Sequence, residues 1–247
     1  MKRKLNTYNK FVDYYDEIIR WEWYDLEWEV FFIDELIENN LEKKENIEIL
    51  EFACGTGVIA RELEKKWYNV FWVDLSEEMI EKAQKISEEK FIVWDMTTID
   101  LEKQFDVVLC NYNSVCHLKS WEDWQKFFKN AYKHLKKWGI LIFDILTTFE
   151  FENITRDFRW FFNIWKDTIC LEMFKEEQYY KWLIKMFVNI WENNFKLIEE
   201  EIKEISFPVE DIKKELKNIW FKIKHLEDFH FGEINDESER VYFVVEK

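Results

Sequence analysis

Between Glu51 and Gly57 the chain reads Glu-Phe-Ala-Cys-Gly-Thr-Gly, directly after the apolar run Ile47 to Ala53 and before an amphipathic stretch from Val58 to Lys66. Glycines at such a junction let backbone approach a ligand closely, and the helix that follows presents unpaired N–H groups at its start. Dinucleotide-binding folds use a similar turn, so the turn alone says little. Two acids sharpen it: Asp74 closes the apolar segment Asn69 to Val73, and Asp95 closes Phe91 to Trp94. A carboxylate at the first place can accept both hydroxyls of a ribose, and Asp95 with Met96 can bracket an adenine. The competing reading is that both acids merely cap helices and turns. His117 follows the apolar segment Phe105 to Cys110. With an unperturbed pKa near ~6.5, it is the natural proton acceptor at neutral pH for a hydroxyl or amine. An ordinary loop histidine is the alternative. His134, His225 and His230 fall in helix or tail positions and read as structural. Cys54, Cys110 and Cys116 could line a site, although small buried thiols usually just pack.

The elements that must position these residues follow from periodicity. Phe11, Tyr14, Tyr15, Ile18 and Ile19 recur at helical spacing, as do Val30, Ile33, Leu36 and Ile37, so residues 1–45 read as a helical cap. From 46 to 150, short apolar strands alternate with helices, the second opening at Ser76 with an N-cap and an acidic first turn. Trp121 to Lys136 reads as a helix and Ile140 to Ile145 as a strand. This alternation means parallel strands with crossover helices, an open α/β sheet whose ligands lie outside the carboxyl ends of the strands. Between 151 and 206 the rhythm changes to aromatic and β-branched segments without helical period, which read as three or four antiparallel strands. In that insert Trp160, Phe161, Phe162, Trp165, Tyr179, Tyr180 and Trp182 either line an apolar pocket or form sheet core. Pro208 then opens a helix, and Phe221 to Leu226 and Val241 to Val245 read as closing strands, so 207–247 returns to the α/β domain.

Composition excludes several classes. The 35 basic and 51 acidic residues give a net charge of −16, a field that repels phosphate backbones and argues against a general nucleic-acid binder. The basic cluster Lys2, Arg3, Lys4 and Lys10 reads as a solvated tail. No apolar run approaches the ~18 residues of a membrane helix, and the first ten residues lack the apolar core of a signal peptide. Four cysteines without CxxC pairing argue against a zinc site or disulfide framework. The expectation is a cytoplasmic protein with no metal and no membrane association, a monomer or homodimer.

With these residues in view, the chain resembles class I S-adenosylmethionine-dependent methyltransferases, whose first motif has the form (E/D)xxCGTG. The order EFACGTG, VDLSEEMIEKA, DM, FDVVLCNYNSVCHL and LKKWGILIFDI is similar throughout, FVDYYDEI looks like the family's opening helix, and FPVEDIKKELKNIWFKI with SERVYFVVEK is similar to the closing elements of bacterial small-molecule members. The resemblance covers about residues 8–149 and 207–246. It implies a Rossmann-like seven-stranded sheet of order 3-2-1-4-5-7-6 with the last strand antiparallel, and an insert lying over the site as a lid. The cofactor implied is S-adenosyl-L-methionine and the partner a small-molecule methyl acceptor, taken at nitrogen or oxygen. Glu51 and the backbone of Ala53, Cys54, Gly55 and Gly57 would hold the methionine portion, Asp74 the ribose, Leu75 and Met79 the adenine face, and Asp95 with Met96 its edge. Asn111 would lie under the methionine moiety, Tyr15 would close the site, and His117 would act as base. No Cys follows a Pro, and no (D/N)PP(Y/F) motif occurs, so the nucleic-acid-modifying branches are not matched. The other classes considered are a nicotinamide-dependent oxidoreductase, although Val58-Ile59-Ala60 lacks the third glycine of GxGxxG, and a methyltransferase-like module that binds without turnover.

Glycine occurs 4 times in 247 residues and Trp 14 times, where glycine alone is usually ~7%. Trp67, Trp138 and Trp220 follow helices, where a left-handed residue is common and anything but glycine is strained. Trp72 precedes Val73-Asp74 and Trp94 precedes Asp95, both beside the expected cofactor. The coincidence suggests UGA codons that mean glycine in the source and have been rendered as Trp. If these Trp are present, strained helix ends and a crowded adenine pocket are expected.

Overall fold

The computed structural model describes residues 8, 10–18, 26–43, 45–85, 91–157, 159–192, 194–229 and 232–247. Lys2, Arg3, Lys4, Ile19 and His230 lie outside them. Helices α1 (Val12–Ile18) and α2 (Leu26–Asn40) precede an alternation of β1 (Glu48–Phe52), α3 (Val58–Lys65), β2 (Asn69–Asp74), α4 (Glu77–Gln84), β3 (Phe91–Val93), β4 (Phe105–Cys110), α5 (Trp121–His134) and β5 (Leu135–Leu146). A helix that the periodicity does not announce, α6 (Thr148–Asp157), leads into β6 (Arg159–Ile164), β7 (Asp167–Glu176), β8 (Tyr179–Trp191) and β9 (Asn194–Glu204). The chain closes with α7 (Val209–Asn218), β10 (Lys222–Asp228) and β11 (Arg240–Glu246). Strand β5 begins five residues earlier than the sequence suggests and α5 ends two earlier, because Leu135 pairs with Phe105 and the register shifts before Val107 meets Ile140.

The large sheet has the order β10-β11-β5-β4-β1-β2-β3, the expected 3-2-1-4-5-7-6 with the last two strands as sixth and seventh. Strands β1 to β5 are parallel to one another, and β11 runs antiparallel between β5 and β10. Successive residues of β1 feed opposite faces: Ile49 joins Phe32, Ile33, Tyr242 and Val244, while Leu50 joins Phe127, Phe143 and Phe243. Both faces are covered, which is why the strands read as continuous apolar runs rather than alternating ones. Each fully buried Phe or Ile contributes about 1.5–3 kcal/mol, and the register carries the consequence for function. With Phe52 opposite Val73 and Asp74 opposite Val93, the turns after β1, β2 and β3 open on one edge.

Residues 159–204 form a separate four-stranded antiparallel sheet, β6-β7-β8-β9. Its apolar face, with Phe162, Ile169, Leu171, Ile184, Met186 and Ile202, packs on Phe11, Tyr14 and Ile18 of the N-terminal segment. Tyr14 donates to Asp167 Oδ2 at 2.7 Å, and the Phe11 N–H donates to Glu200 Oε2 at 2.9 Å. Among the aromatics of the insert, Phe162 and Tyr180 are core, whereas Phe161 and Trp165 stand in solvent.

Trp72 is fully buried against Gly57 and Phe91, on the face away from the strand-end cavity. The expected crowding of an adenine pocket by this residue is therefore not observed. It fills the space beside Gly57 so completely that a Cβ there would stand 1.8 Å from its ring.

Candidate active site

The strand ends frame a cavity of about 740 Å³, within the range of small-molecule sites. Ala53, Gly55, Asp74, Leu75, Met79, Asp95 and Met96 form one side of it, and Tyr15 and His117 stand on its wall. Glu51, Cys54, Gly57 and Asn111 are not on the cavity surface; they lie in the turn and strand ends behind it. The insert supplies the other side through Trp160, Leu171, Trp182, Ile184 and Glu204.

Gly55 and Gly57 have φ of +56° and +74°, a region that costs other residues ~1–2 kcal/mol. The Gly55 N–H donates to Asp74 Oδ2 at 2.8 Å and the Ser76 N–H to Oδ1 at 2.8 Å. Each carboxylate oxygen keeps a second lone pair for a ligand hydroxyl. Asp95 Oδ1 accepts from the Thr97 N–H and hydroxyl at 2.8 and 2.6 Å, which fixes that side chain at the cavity edge. Helix α1 is tied to the glycine turn by Thr56, whose hydroxyl donates to Asp16 Oδ1 at 2.5 Å, and it brings the Tyr15 ring within van der Waals reach of Gly55.

Behind the turn, Glu51 is buried and its Oε2 has no hydrogen-bond partner among the described residues; the same holds for both side-chain polar atoms of buried Asn111. Such groups normally have partners. Burial, reinforced by Asp74 and Glu64, pushes the Glu51 carboxyl up to about 8. The cavity wall carries six acids, Asp74, Asp95, Asp123, Glu150, Glu204 and Glu239, against one lysine, Lys119, among the described residues. Its chemistry suits a cationic ligand.

Across the cavity, Tyr112 and Asn113 have φ of 56° and 45° in the loop after β4. Strained residues of this kind persist only where the surroundings hold them. Here the Asn113 N–H donates to Asp144 Oδ2 at 2.8 Å and its side-chain amide to Glu204 Oε1 at 2.9 Å. The loop ends in a 3-10 turn, Ser114–His117, whose Cys116 carbonyl accepts from the Ile205 N–H at 2.8 Å. His117 Nε2 lies 3.4 Å from Glu204 Oε1, and the Trp182 indole donates to Glu204 Oε2 at 2.6 Å. Burial lowers His117 to about 4 and raises Glu204 to about 7. The neutral-pH proton acceptor expected of an unperturbed histidine therefore belongs at least as much to a glutamate that sequence reasoning did not single out. One signal for it existed: Ile198, Glu200, Ile202 and Glu204 share one face of β9, an acid continuing an apolar phase. His134 is structural, its Nε2 accepting from the Leu101 N–H at 3.1 Å, and His225 sits beside Glu227 on β10.

Raised carboxyls have a sign that can be measured. Glu51 at about 8, Glu204 at about 7 and Glu150 at about 7 are protonated when folded at pH 6.5, while the unfolded chain is already ionised there. The folded state thus holds more protons, and its stability falls as pH rises from 6.5 through 8. Denaturant melts at the two pH values are expected to show that fall, and Glu51→Gln to reduce it; equal stability at both would show these carboxyls to be ionised throughout.

A family model described as a methyltransferase domain matches residues 49–139. The chain is 31% identical to the putative methyltransferase YqeM of Bacillus subtilis (strain 168), across 97% of both chains. It is 34% identical to the glycine/sarcosine N-methyltransferase of Aphanothece halophytica over 54% of this chain and 51% of that enzyme. Its fold superposes with a TM-score of 0.81 on the crystal structure of an S-adenosylmethionine-dependent methyltransferase from Clostridium acetobutylicum ATCC 824, at 28% identity and covering 97% and 98% of the two chains.

Proposed function

Because the chain belongs to the class I S-adenosylmethionine-dependent methyltransferases, we propose that its cavity holds the cofactor along the β1, β2 and β3 edge and a small-molecule acceptor, methylated at nitrogen or oxygen, beneath the insert. The observation that carries this is the placement of Asp74 and Asp95 on one wall of a single cavity whose opposite wall is aromatic and belongs to the insert. The donor set fits the cofactor. A molecule bearing a sulfonium and an ammonium group meets an acid-rich cavity, and Glu51 Oε2 and the Asn111 amide, without partners among the described residues, lie at the ends of β1 and β4 behind the turn where its amino-acid end would rest.

When bound, the cofactor supplies an electrophilic methyl group on positively charged sulfur. The rest is alignment in a site screened from water. Asp74, fixed by two backbone N–H groups, takes the ribose hydroxyls on its remaining lone pairs. Leu75 and Met79 cover the adenine, and Asp95 with Met96 meets its edge. Tyr15 closes the turn from α1, and His117 faces the methyl group from the loop after β4. The glycine/sarcosine enzyme, matched over half of this chain, acts on a small amine, which supports an acceptor of that size.

A nicotinamide dinucleotide would set its pyrophosphate against these same carboxylates, and among the described residues Lys119 is the single cation on the cavity wall to answer that charge. Calorimetry with S-adenosylhomocysteine and with NADH is the test: the first is expected to bind and the second not. Asp74→Ala is expected to weaken S-adenosylhomocysteine by tenfold or more, as loss of charge-assisted hydrogen bonds costs about 1.5–3 kcal/mol. Preference for NADH, or an unaltered affinity in Asp74→Ala, overturns the assignment. Release of labelled methyl to a metabolite extract then separates an enzyme from a module that only binds.

A further inference from the structure

Glu204 closes the acceptor side of the cavity in a way that no motif requires. Its carboxylate is 2% exposed and is held from three directions, by Trp182 on β8, Asn113 in the loop after β4, and His117 at the end of that loop. The other titratable groups facing it are Tyr8 of the N-terminal segment, whose ring stands edge-on to His117 at 5.5 Å, and the Cys116 thiol. Among the described residues, no lysine or arginine is one of these neighbours. The indole and amide donors satisfy part of the carboxylate, yet a buried acid without a cation is costly, and this one lines the cavity rather than the core.

We propose that the Glu204 carboxylate receives the ammonium group of an amine acceptor and takes from it the proton that the nitrogen must lose before it can attack. The proton passes from nitrogen to a Glu204 oxygen, leaving a neutral amine and a carboxylic acid. The nitrogen lone pair then forms the new C–N bond as the methyl–sulfur bond breaks, and that bonding pair stays on sulfur. The alkylated nitrogen carries the positive charge that sulfur has lost. His117, neutral at physiological pH, stands with Nε2 3.4 Å from Glu204 Oε1 and orients the carboxylate. An alcohol brings no charge for Glu204 to meet, and its proton is bound too tightly for a carboxylate to remove beforehand. Aromatic walls at Trp160 and Trp182 with Leu171 and Ile184 suit an apolar body behind the nitrogen. This inference rests on the cofactor placement above and narrows the acceptor to amines.

The test is calorimetry on the protein saturated with S-adenosylhomocysteine, using benzylamine, cyclohexylamine and N-methylbenzylamine against the matched alcohols at pH 8. Amines are expected to bind roughly tenfold or more tightly than their alcohols, and Glu204→Gln to lose that preference while binding S-adenosylhomocysteine as before. Alcohols binding as well as amines, no amine binding, or an undiminished preference in Glu204→Gln each overturns it. Should Glu204→Gln not fold, the unmodified protein decides: its amine preference must fade as pH falls from 8 to 5.5, and persistence overturns the proposal. Failure of S-adenosylhomocysteine itself to bind strikes the cofactor placement instead.

A second, independent observation concerns the tryptophans. Trp67 donates its N–H to Glu64 O at 2.9 Å while Tyr68 donates to Leu63 O at 3.3 Å, and Trp220 and Phe221 repeat this on Lys217 and Leu216, both at 3.0 Å. These are Schellman ends with Trp at the left-handed position that glycine normally takes. Trp165 is the first of the two residues joining β6 to β7, a place where a two-residue hairpin with one positive φ takes glycine. With Trp138, the four have φ of 70°, 78°, 55° and 68° in the order 67, 220, 165, 138. Their rings are 89%, 82%, 74% and 60% exposed, so they gain little by being large. Trp72 and Trp94 do not show positive φ. We infer that positions 67, 138, 165 and 220 are glycine in the native protein, from UGA codons rendered as Trp, while Trp124, Trp121 and Trp182, which pack or hydrogen-bond, are genuine. Sequencing the gene and peptide mass spectrometry of the native protein test this. UGA with glycine-mass peptides at the four positions, and UGG at 121, 124 and 182, is the expected result. UGG or Trp-mass peptides at the four would overturn it.

Discussion

Replacing Trp67, Trp138, Trp165 and Trp220 together by glycine in the chain as written raises its melting temperature by roughly 5–15 °C, at ~2–4 °C per kcal/mol for a domain this size. The estimate follows from two opposed effects. A left-handed backbone costs a residue with a Cβ ~1–2 kcal/mol, whereas glycine loses ~0.5–1 kcal/mol more conformational entropy on folding. The difference is about 0.5–1 kcal/mol at each position, and sites this far apart add. Little packing opposes it. Lys137 Nζ sits 4.9 Å from the Trp138 ring, and Trp165 lies 6.2 Å from Tyr14 at a tilt, contacts worth at most ~1 kcal/mol each at exposed sites. The matched control is Trp124→Gly, the same chemical change on a fully buried ring in α5, which is expected to cost at least 3–5 kcal/mol. A quadruple variant that melts no higher than its parent would show that the surroundings have already absorbed the strain.

What the residues announced and what they concealed divide along physical lines. Parallel strands buried on both faces read as apolar runs, and the helices between them have their own period, so the α/β sheet could be expected from these patterns, while its strand order came only with the family resemblance that EFACGTG and the later motifs carry. Asp74 and Asp95 were visible because strand ends in such a sheet share one edge. Glu204 was not, because its position depends on how β9 registers against β8 and where Ile205 meets Cys116, neither of which leaves a mark in local sequence. Its neighbour Asn113 was hidden for the same reason: the contact spans 91 residues. His117 was read as a position and as a base, but burial, which no motif encodes, moves it well below neutral pH. Helix α6 escaped because Thr148 to Asp157 has too short an apolar stripe to stand out. The exposed left-handed tryptophans, by contrast, were legible at two helix ends, Trp67 and Trp220, and at Trp138, which the structure places inside β5 rather than at the end of α5; Trp165 was missed, because its turn became visible only once β6 and β7 were paired.

A comparably large loss from a single substitution falls on Arg240. Its guanidinium is buried at the seam of three elements, with Nε donating to Asp144 Oδ2 at 2.7 Å on β5 and Nη2 to Glu29 Oε1 at 3.2 Å on α2, more than 200 residues away in sequence. Tyr242 also donates to Glu29, and the rings of Phe229, Tyr242 and Tyr112 surround the cation. Arg240→Met keeps much of the volume but leaves two buried carboxylates facing each other, which is expected to cost about 3–5 kcal/mol. Adding Glu29→Gln and Asp144→Asn removes the stranded charges, so the triple variant should be markedly more stable than the sum of the single losses predicts. Denaturant melts measure this, and simple additivity would mean that the three groups do not act as a unit. The pH dependence carries the sign of the effect. Burial and Asp144 already draw the Glu29 carboxyl upward, and Arg240 is the main force holding it down. Without Arg240 that carboxyl rises further, so Arg240→Met is least damaging at pH 5 and grows worse as pH rises. The same change reaches the site, because the Asp144 oxygen that accepts from Arg240 also holds the Asn113 N–H, and Asn113 holds Glu204. At temperatures where Arg240→Met remains folded, it should therefore weaken the preference for amines over alcohols while leaving the binding of S-adenosylhomocysteine, which the proposed placement sets along Asp74 and Asp95, unaffected.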